Sequence, residues 1–502
     1  MADPSSSGRS STTITDLDMD TLTRCASYLS IQDISNMAVS CKILNRVAYS
    51  DSVWQSFFRQ EWQNVAPLWP NGSNQSSSMR EAYLFRHTAL RQFKYVDPLF
   101  RHIPTVGKRP HQILFDKNTI LFSQGQSIRS LHIDDLIDGN ISVANRGNHK
   151  ARVTCMRLFS LNDTYLYQSD SGRDDNILVT SSSDHFIRLW SKGGSRCFKG
   201  HNAPVLTLSD KLLGDDTGKC FASGGEDGTV RLWSINCTGK RGQQALKATL
   251  YGHENVVSLM SVAGHKTSLL VSISNNGKVR IWDTTTASSC IRSSCCVGMT
   301  SVPIAPVGMK CHESLLYVAA GTSVTAIDLR TMNRAFTIVQ KSKIHSFEFL
   351  PSKYSLCTGG TDSALLWDMR RVSDTLKVEP KAELEGHVGH VKLLHMDAHK
   401  VVTGGPDDLF VNVWESDSGA QTNSLICSAP DMGGCSAMAV DGCRIVTAGD
   451  DDRVNAVLRF RDFKTATCHV SSLVSEQSSA VSKFWGSASG SDSSSEESDF
   501  QI

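Results

Sequence analysis

At 502 residues the chain has room for two or more domains and a large buried core. Its 51 basic and 50 acidic residues leave a formal net charge of +1, so no global field favours nucleic acid, a membrane or an acidic substrate. Fifteen cysteines without a C-x-x-C pair read as reduced thiols, and no stretch approaches the ~20 apolar residues of a spanning helix; the expected location is cytoplasm and/or nucleus.

Residues 1–13 are Ser/Thr-rich and expected to be disordered. In residues 14–59 the pattern changes to short amphipathic helices. Leu22, Cys25, Ala26 and Leu29 recur at helical spacing, and Asp33 is a candidate N-cap for a second helix carrying Ile34, Met37, Ala38 and Cys41. A third carries Leu44 and Val47, with Trp54, Phe57 and Phe58 beyond it. Three such helices bury too little to be very stable alone, which points to a module completed by a partner.

Residues 60–110 read as a linker, partly helical over MREAYLFRHTALRQFKYV. Arg86, Arg91, Lys94, Arg101, Lys108 and Arg109 interleave there with Phe85, Phe93, Tyr95 and Phe100, a composition found in single-strand nucleic-acid patches. The plainer expectation is that the aromatics pack on the following domain and nucleic acid is not bound.

From 111 to 474 one unit recurs. Its clearest copy, CFASGGEDGTVRLWSI (Cys220 to Ile235), reads as strand, Gly-rich turn, strand. IRLWS, VRLWS, VRIWD, ALLWD and VNVWE repeat its end, with weaker copies at Ile327 and Phe460. The intervals are 43, 49, 45, 40, 47 and 46 residues. Gly-His pairs recur at Gly200-His201, Gly252-His253 and Gly386-His387. Eight units are counted; the first, near HQILFDKNTILF, lacks both signatures, so seven blades remain possible. Residues 475–502 form a polar tail with seven Ser and four acids between Gly486 and Asp499, where Ser493 and Ser494 each precede a Glu by three residues. It is expected to be disordered and phosphorylatable.

The chain contains no H-E-x-x-H, G-x-S-x-G or P-loop, and His387 and His390 alternate across a strand, so no catalytic residue, cofactor or metal is expected. The recurring unit resembles the WD repeat (WD40). The resemblance implies a structural hydrogen-bond network of His201, Ser223, Asp227 and Trp233. Its counterparts are Thr180, Asp184 and Trp190; His253, Ser272 and Trp282, with Asn276 for the acid; and His387, Thr403 and Trp414, with Asp407 or Asp408.

Residues 17–54 resemble an F-box, with Asp18, Thr21, Ser40 and Leu44 departing from the usual Pro, aliphatic, Val and Trp. The whole resembles a small all-α F-box domain followed by an all-β WD-repeat β-propeller. In that family such a chain is the substrate receptor of an SCF-type ubiquitin ligase. Leu17, Leu22, Leu29, Ile34, Cys41, Lys42 and Trp54 would then meet a Skp-type adaptor, and through it cullin and RING subunits. The alternative is a WD-repeat scaffold without a ligase role. The acids at the turns between second and third strands (Asp184, Glu226, Asp227, Asp362, Asp407, Asp408 and Asp450 to Asp452) lead to the expectation of a neutral or basic substrate segment.

Overall fold

The computed structural model describes residues 14–61, 78–160, 176–191, 194–214, 219–235, 245–285, 295–371, 378–429, 432–451 and 454–464. The expected disordered N-terminus at 1–13 and the acidic tail at 475–502 lie outside these residues.

Among the described residues four α-helices, not three, precede the linker: α1 (Met19–Ala26), α2 (Ile31–Ser40), α3 (Lys42–Ala48) and α4 (Asp51–Glu61). Trp54, Phe57 and Phe58 recur at helical spacing and carry the fourth. Three of the starts have a local cap. Asp18 accepts from Thr21 N, and Cys41 Sγ accepts from Leu44 N. The cap of α2 is Ser30 rather than Asp33: Asp33 N donates to Ser30 Oγ (3.2 Å) while its carboxylate accepts from that hydroxyl (2.7 Å), a capping-box-like exchange. Leu22, Ala26, Ile34, Leu44, Val47, Trp54, Phe57 and Phe58 form one core, which α5 (Met79–Arg91) joins through Tyr83.

The described residues from Leu99 to Lys464 form an eight-bladed β-propeller of four-stranded antiparallel sheets. Blades 1 to 7 occupy residues 112–148, 153–198, 205–250, 257–301, 306–339, 346–385 and 393–426. Blade 8 takes three strands from 437–462 and its outermost from Leu99–Pro104, a stretch assigned by sequence to the linker. That strand pairs antiparallel with the last one, Ile103 opposite Leu458, so chain ends far apart in sequence close the ring.

Apolar clusters fill all eight seams between neighbouring blades. Phe159, Phe198, Phe221 and Trp233 fill the one between blades 2 and 3. Second strands such as Thr119–Gln124, Cys220–Gly225 and Lys400–Gly404 are buried at every residue because both of their faces are covered.

Within a blade, successive strands reverse direction. The blade-to-blade connections and the turns between second and third strands therefore share one face, here the upper. Helix α5 lies against the lower face of blades 7 and 8. Phe93 is buried between them beside Val402, Val413 and Ile445, and its carbonyl accepts from Asn423 Nδ2. Lys94 pairs with Glu415, and Lys464 lies over the Phe85 ring. Arg101 donates to the carbonyls of Leu136 and Ile137 in the short helix α6 (Ile133–Ile137). The basic–aromatic stretch at 85–101 is thus the joint between helical domain and propeller, with only Tyr95 and Phe100 among its aromatics exposed.

Candidate functional site

The propeller's most repeated polar arrangement lies between the upper face and the core. In blade 3, Trp233 Nε1 donates to Ser223 Oγ (2.8 Å), and Ser223 shares a proton with His201 Nε2 (2.8 Å). His201 Nδ1 meets Asp227 (3.0 Å), whose carboxylate also accepts from Asn202 N and Thr229 N. Because Ser223 Oγ already accepts the indole proton, its own hydrogen is available to Nε2, leaving Nδ1–H to donate to the carboxylate. Burial alone would raise the Asp227 carboxyl, but the His201 and Thr229 hydrogen bonds hold it well below the usual carboxylate range. Glycine shapes the surroundings. Gly228 supplies the φ of +69° that the turn requires, and a Cβ at Gly200 would stand 2.7 Å from the Arg231 guanidinium.

Blade 7 repeats the network with Asp408, not Asp407: His387 Nδ1 to Asp408 (2.8 Å), Nε2 to Thr403 (2.9 Å), and Trp414 Nε1 to Thr403 (2.7 Å). In blade 2, Thr180, Asp184 and Trp190 gather around His149, which the sequence reading missed because Asn148 replaces the glycine of Gly-His. In blade 6, Gln340 takes the histidine's place: Thr358 Oγ1 donates to Gln340 Oε1 (2.6 Å) and accepts from Trp367 Nε1 (3.0 Å).

Two expected correspondences fail. Asn276 does not stand in for the acid in blade 4; its Oδ1 accepts from Ser274 Oγ and Lys278 N, leaving His253 Nδ1 buried without a partner. Burial, with Arg280 and Lys278 nearby, lowers the His253 pKa to about 4. In blade 8 the Trp position belongs to Arg461 rather than Phe460. Arg461 lies opposite Ile445, two residues before Thr447, just as Trp233 lies opposite Phe221, two before Ser223. Its guanidinium donates to Thr447 Oγ1 (3.1 Å) as an indole would. In blade 5 the pair is apolar, Val318 and Ile327.

These networks alter the charge of the upper face. Asp184, Asp227 and Asp408 are consumed internally, Asp450 is buried against Arg109, and Asp451 pairs with His102. Of the described turn acids, Glu226, Asp362 and Asp407 are exposed. The connections between blades carry the exposed cations Lys108, Lys150, Arg152, Lys341, Lys343 and Lys392 on the same face. Five of the eight described turn acids thus face inward or pair within the chain, so the carboxylates left for a neutral or basic ligand are fewer than the sequence pattern implies.

The residues expected to meet an adaptor divide in two. Leu22, Ile34 and Trp54 lie in the helical core, at 3%, 2% and 4% exposure, and Trp54 Nε1 donates to Ala48 O. Cys41 caps α3 and is partly buried against that core. Leu17, Leu29 and Lys42 are exposed, with Met19, Tyr28, Val39, Ile43 and Tyr49 as further exposed apolar residues that the sequence reading did not single out. Asp18, where the family usually has Pro, has φ −65°, the angle that a proline ring enforces.

Among the described residues no group of three or more His, Cys, Asp or Glu could hold a metal, and no helix is long and apolar enough to cross a membrane. Residues 142–191, 195–234 and 244–283 match the family model "WD domain, G-beta repeat". Human Striatin-3 is 33% identical over 134 residues, 23% of this chain but only 16% of Striatin-3. A guanine nucleotide-binding protein subunit beta of Solanum tuberosum is 23% identical over 273 residues, 51% of this chain and 71% of that protein. A chain in a crystal structure of the mitotic checkpoint complex overlaps 66% of this chain and 92% of its own length at 15% identity and a TM-score of 0.45. The chain carries WD40 repeats and folds as a WD β-propeller.

Proposed function

We propose that this WD-repeat propeller protein is a non-catalytic substrate receptor of an SCF-type ubiquitin ligase, acting in the cytoplasm or nucleus. Its helical domain docks on a Skp-type adaptor, and its propeller holds a protein substrate. The observation that carries the reading is the helical domain itself. It has its own core, displays Leu17 and Leu29 to solvent within an F-box-like sequence register, and is anchored to the propeller through Phe93. A packed joint suits a receptor, since ubiquitin transfer by an assembled ligase depends on holding substrate near the charged enzyme. The relatives that match the repeats support protein binding by the propeller and leave the ligase role to experiment.

The test is capture of the Skp-type adaptor by the full chain beside a Leu17→Asp, Leu29→Asp variant. Both side chains are exposed, so the variant keeps its fold while placing charge on the docking surface. Expected is capture by the native chain and loss in the variant with unchanged circular dichroism. Equal capture, or none by either, rejects the assignment and favours a scaffold. Ile34→Asp is unsuitable as a probe because it buries a charge in the helical core.

A further inference from the structure

The connections entering blades 6 and 7 bring together a group of cations that the propeller networks do not use. His345 and His390 stack with ring centroids 4.2 Å apart and planes 11° from parallel. Lys343 and Lys392 flank them, and Lys341 lies two residues before Lys343 on the same connection. Burial, and behind it the charges of His390, Lys343 and Lys392, holds the His345 imidazole below its ordinary value, so these groups share one electrostatic neighbourhood. All three lysines are exposed, and none forms an ion pair among the described residues. Asp362, exposed on the blade 6 turn, already accepts from Thr361 Oγ1. The carboxylates beside the group are Asp362 and Asp407, the latter lying against Gly389 next to His390, fewer than the three lysines, and a bound anion would relieve the repulsion that remains.

The chain carries a complementary segment. Residues 491–499, SDSSSEESD, hold four carboxylates and no cation. Lys464, the last described residue, leaves blade 8 on the lower face, and 26 residues separate it from Ser491. A coil of that length has a root-mean-square span of about 28 Å at ~5–6 Å × √n. The two faces are separated by about the length of one strand, roughly 20 Å, and the 26 residues reach about 86 Å when fully extended at ~3.3 Å per residue, enough to pass around a blade's outer edge. Tethering at such distances gives an effective concentration on the order of millimolar, enough for a weak electrostatic contact to form.

We propose that the acidic segment 491–499 docks within the same molecule on the cluster of Lys341, Lys343, His345, His390 and Lys392, covering this part of the upper face against other acidic ligands. The contact is self-inhibitory: a partner peptide must displace the tail. This inference is independent of the ligase reading, because it concerns only the propeller and its own tail.

Two measurements on the full chain test it. The first is zero-length carbodiimide cross-linking at low salt, on an equal mixture of ¹⁵N-labelled and unlabelled protein, read by peptide mass spectrometry. Expected are amide links from Asp492, Glu496, Glu497 or Asp499 to Lys341, Lys343 or Lys392 within one isotopic copy. They should disappear at high salt, where screening shortens to a few ångströms. Links only to other lysines, or only between copies, overturn the proposal.

The second is fluorescence anisotropy with a labelled peptide of residues 486–499 as the external probe. A full chain carrying Asp492→Asn, Glu496→Gln, Glu497→Gln and Asp499→Asn should bind the probe at least about fivefold more tightly than the native chain, as expected when a tethered competitor is removed. Adding Lys341→Ala, Lys343→Ala and Lys392→Ala should abolish that binding. Equal affinity for native and neutralised chains, no binding by either, or binding indifferent to the lysine changes overturns it.

Discussion

Ser223 shows how a single hydroxyl is used twice in this molecule, accepting the Trp233 indole and supplying the proton to His201. Replacing it with alanine strands two buried groups, and Ser223→Ala should cost about 2–3 kcal/mol in denaturant unfolding. His253 is the converse, an imidazole with an orphaned Nδ1 and a pKa lowered to about 4. Between that value and the ordinary 6.5 the unfolded chain binds the extra proton and the folded chain does not. Stability contributed by neutral His253 is therefore complete above pH 6.5 and is lost as pH falls toward 4, by up to about 3 kcal/mol. Asn276→Asp should give Nδ1 a carboxylate partner, raise the histidine's pKa and flatten the fall in melting temperature between pH 7 and 4.5. An unchanged pH slope would mean that other groups set it. At this scale the sequence showed which residue types belong together, through their spacing from each Trp. It did not show His149 or Gln340, which lack the Gly-His signature, or Arg461, whose place emerges only from the strand register opposite Thr447.

The joint beneath blades 7 and 8 is the element on which the arrangement of the two domains depends. Phe93 is 2% exposed, and Lys400, at 1%, holds Asp397 (2.7 Å) and the Gly442 carbonyl while lying 5.5 Å from the Phe93 ring. Burial would raise the Asp397 carboxyl; the Lys400 charge overcomes it and holds the acid far below its usual range. Phe93→Ala should cost about 3–5 kcal/mol by the loss of a large core side chain. The expected sign is a lowered melting temperature together with faster proteolysis between α5 and blade 8, whereas Tyr95→Ala, at an exposed neighbour, should change neither. From sequence the same stretch reads as basic and aromatic, a composition that suits nucleic acid. The lower faces of two blades decide otherwise, by supplying Glu415 for Lys94, an apolar seam for Phe93 and helix carbonyls for Arg101. None of those partners lies within 30 residues in the chain, so no local pattern reveals them.

For the molecule as a whole, ring closure is the decisive event. Eight blades meet without a free radial gap only because Leu99–Pro104 completes the last sheet, with Ile103 buried at 0% exposure in the seam between blades 8 and 1. A chain beginning at Met79 should retain cooperative thermal unfolding, whereas one beginning at His111 should lose it, leaving the last sheet with an unpaired edge and an open seam. Equal cooperativity in both would show that closure does not require the strand. The repeat period, the strand–turn–strand units, the absence of catalytic motifs and the helical start were all determined by the sequence alone, because each depends on residues close together in the chain. The tertiary structure alone decided which strand closes the ring, which of the F-box-like apolar residues remain exposed, and which carboxylates of the upper face are still available to a ligand. Those outcomes depend on burial and pairing between segments up to several hundred residues apart, and hydrophobic periodicity within a segment carries no record of what the segment packs against.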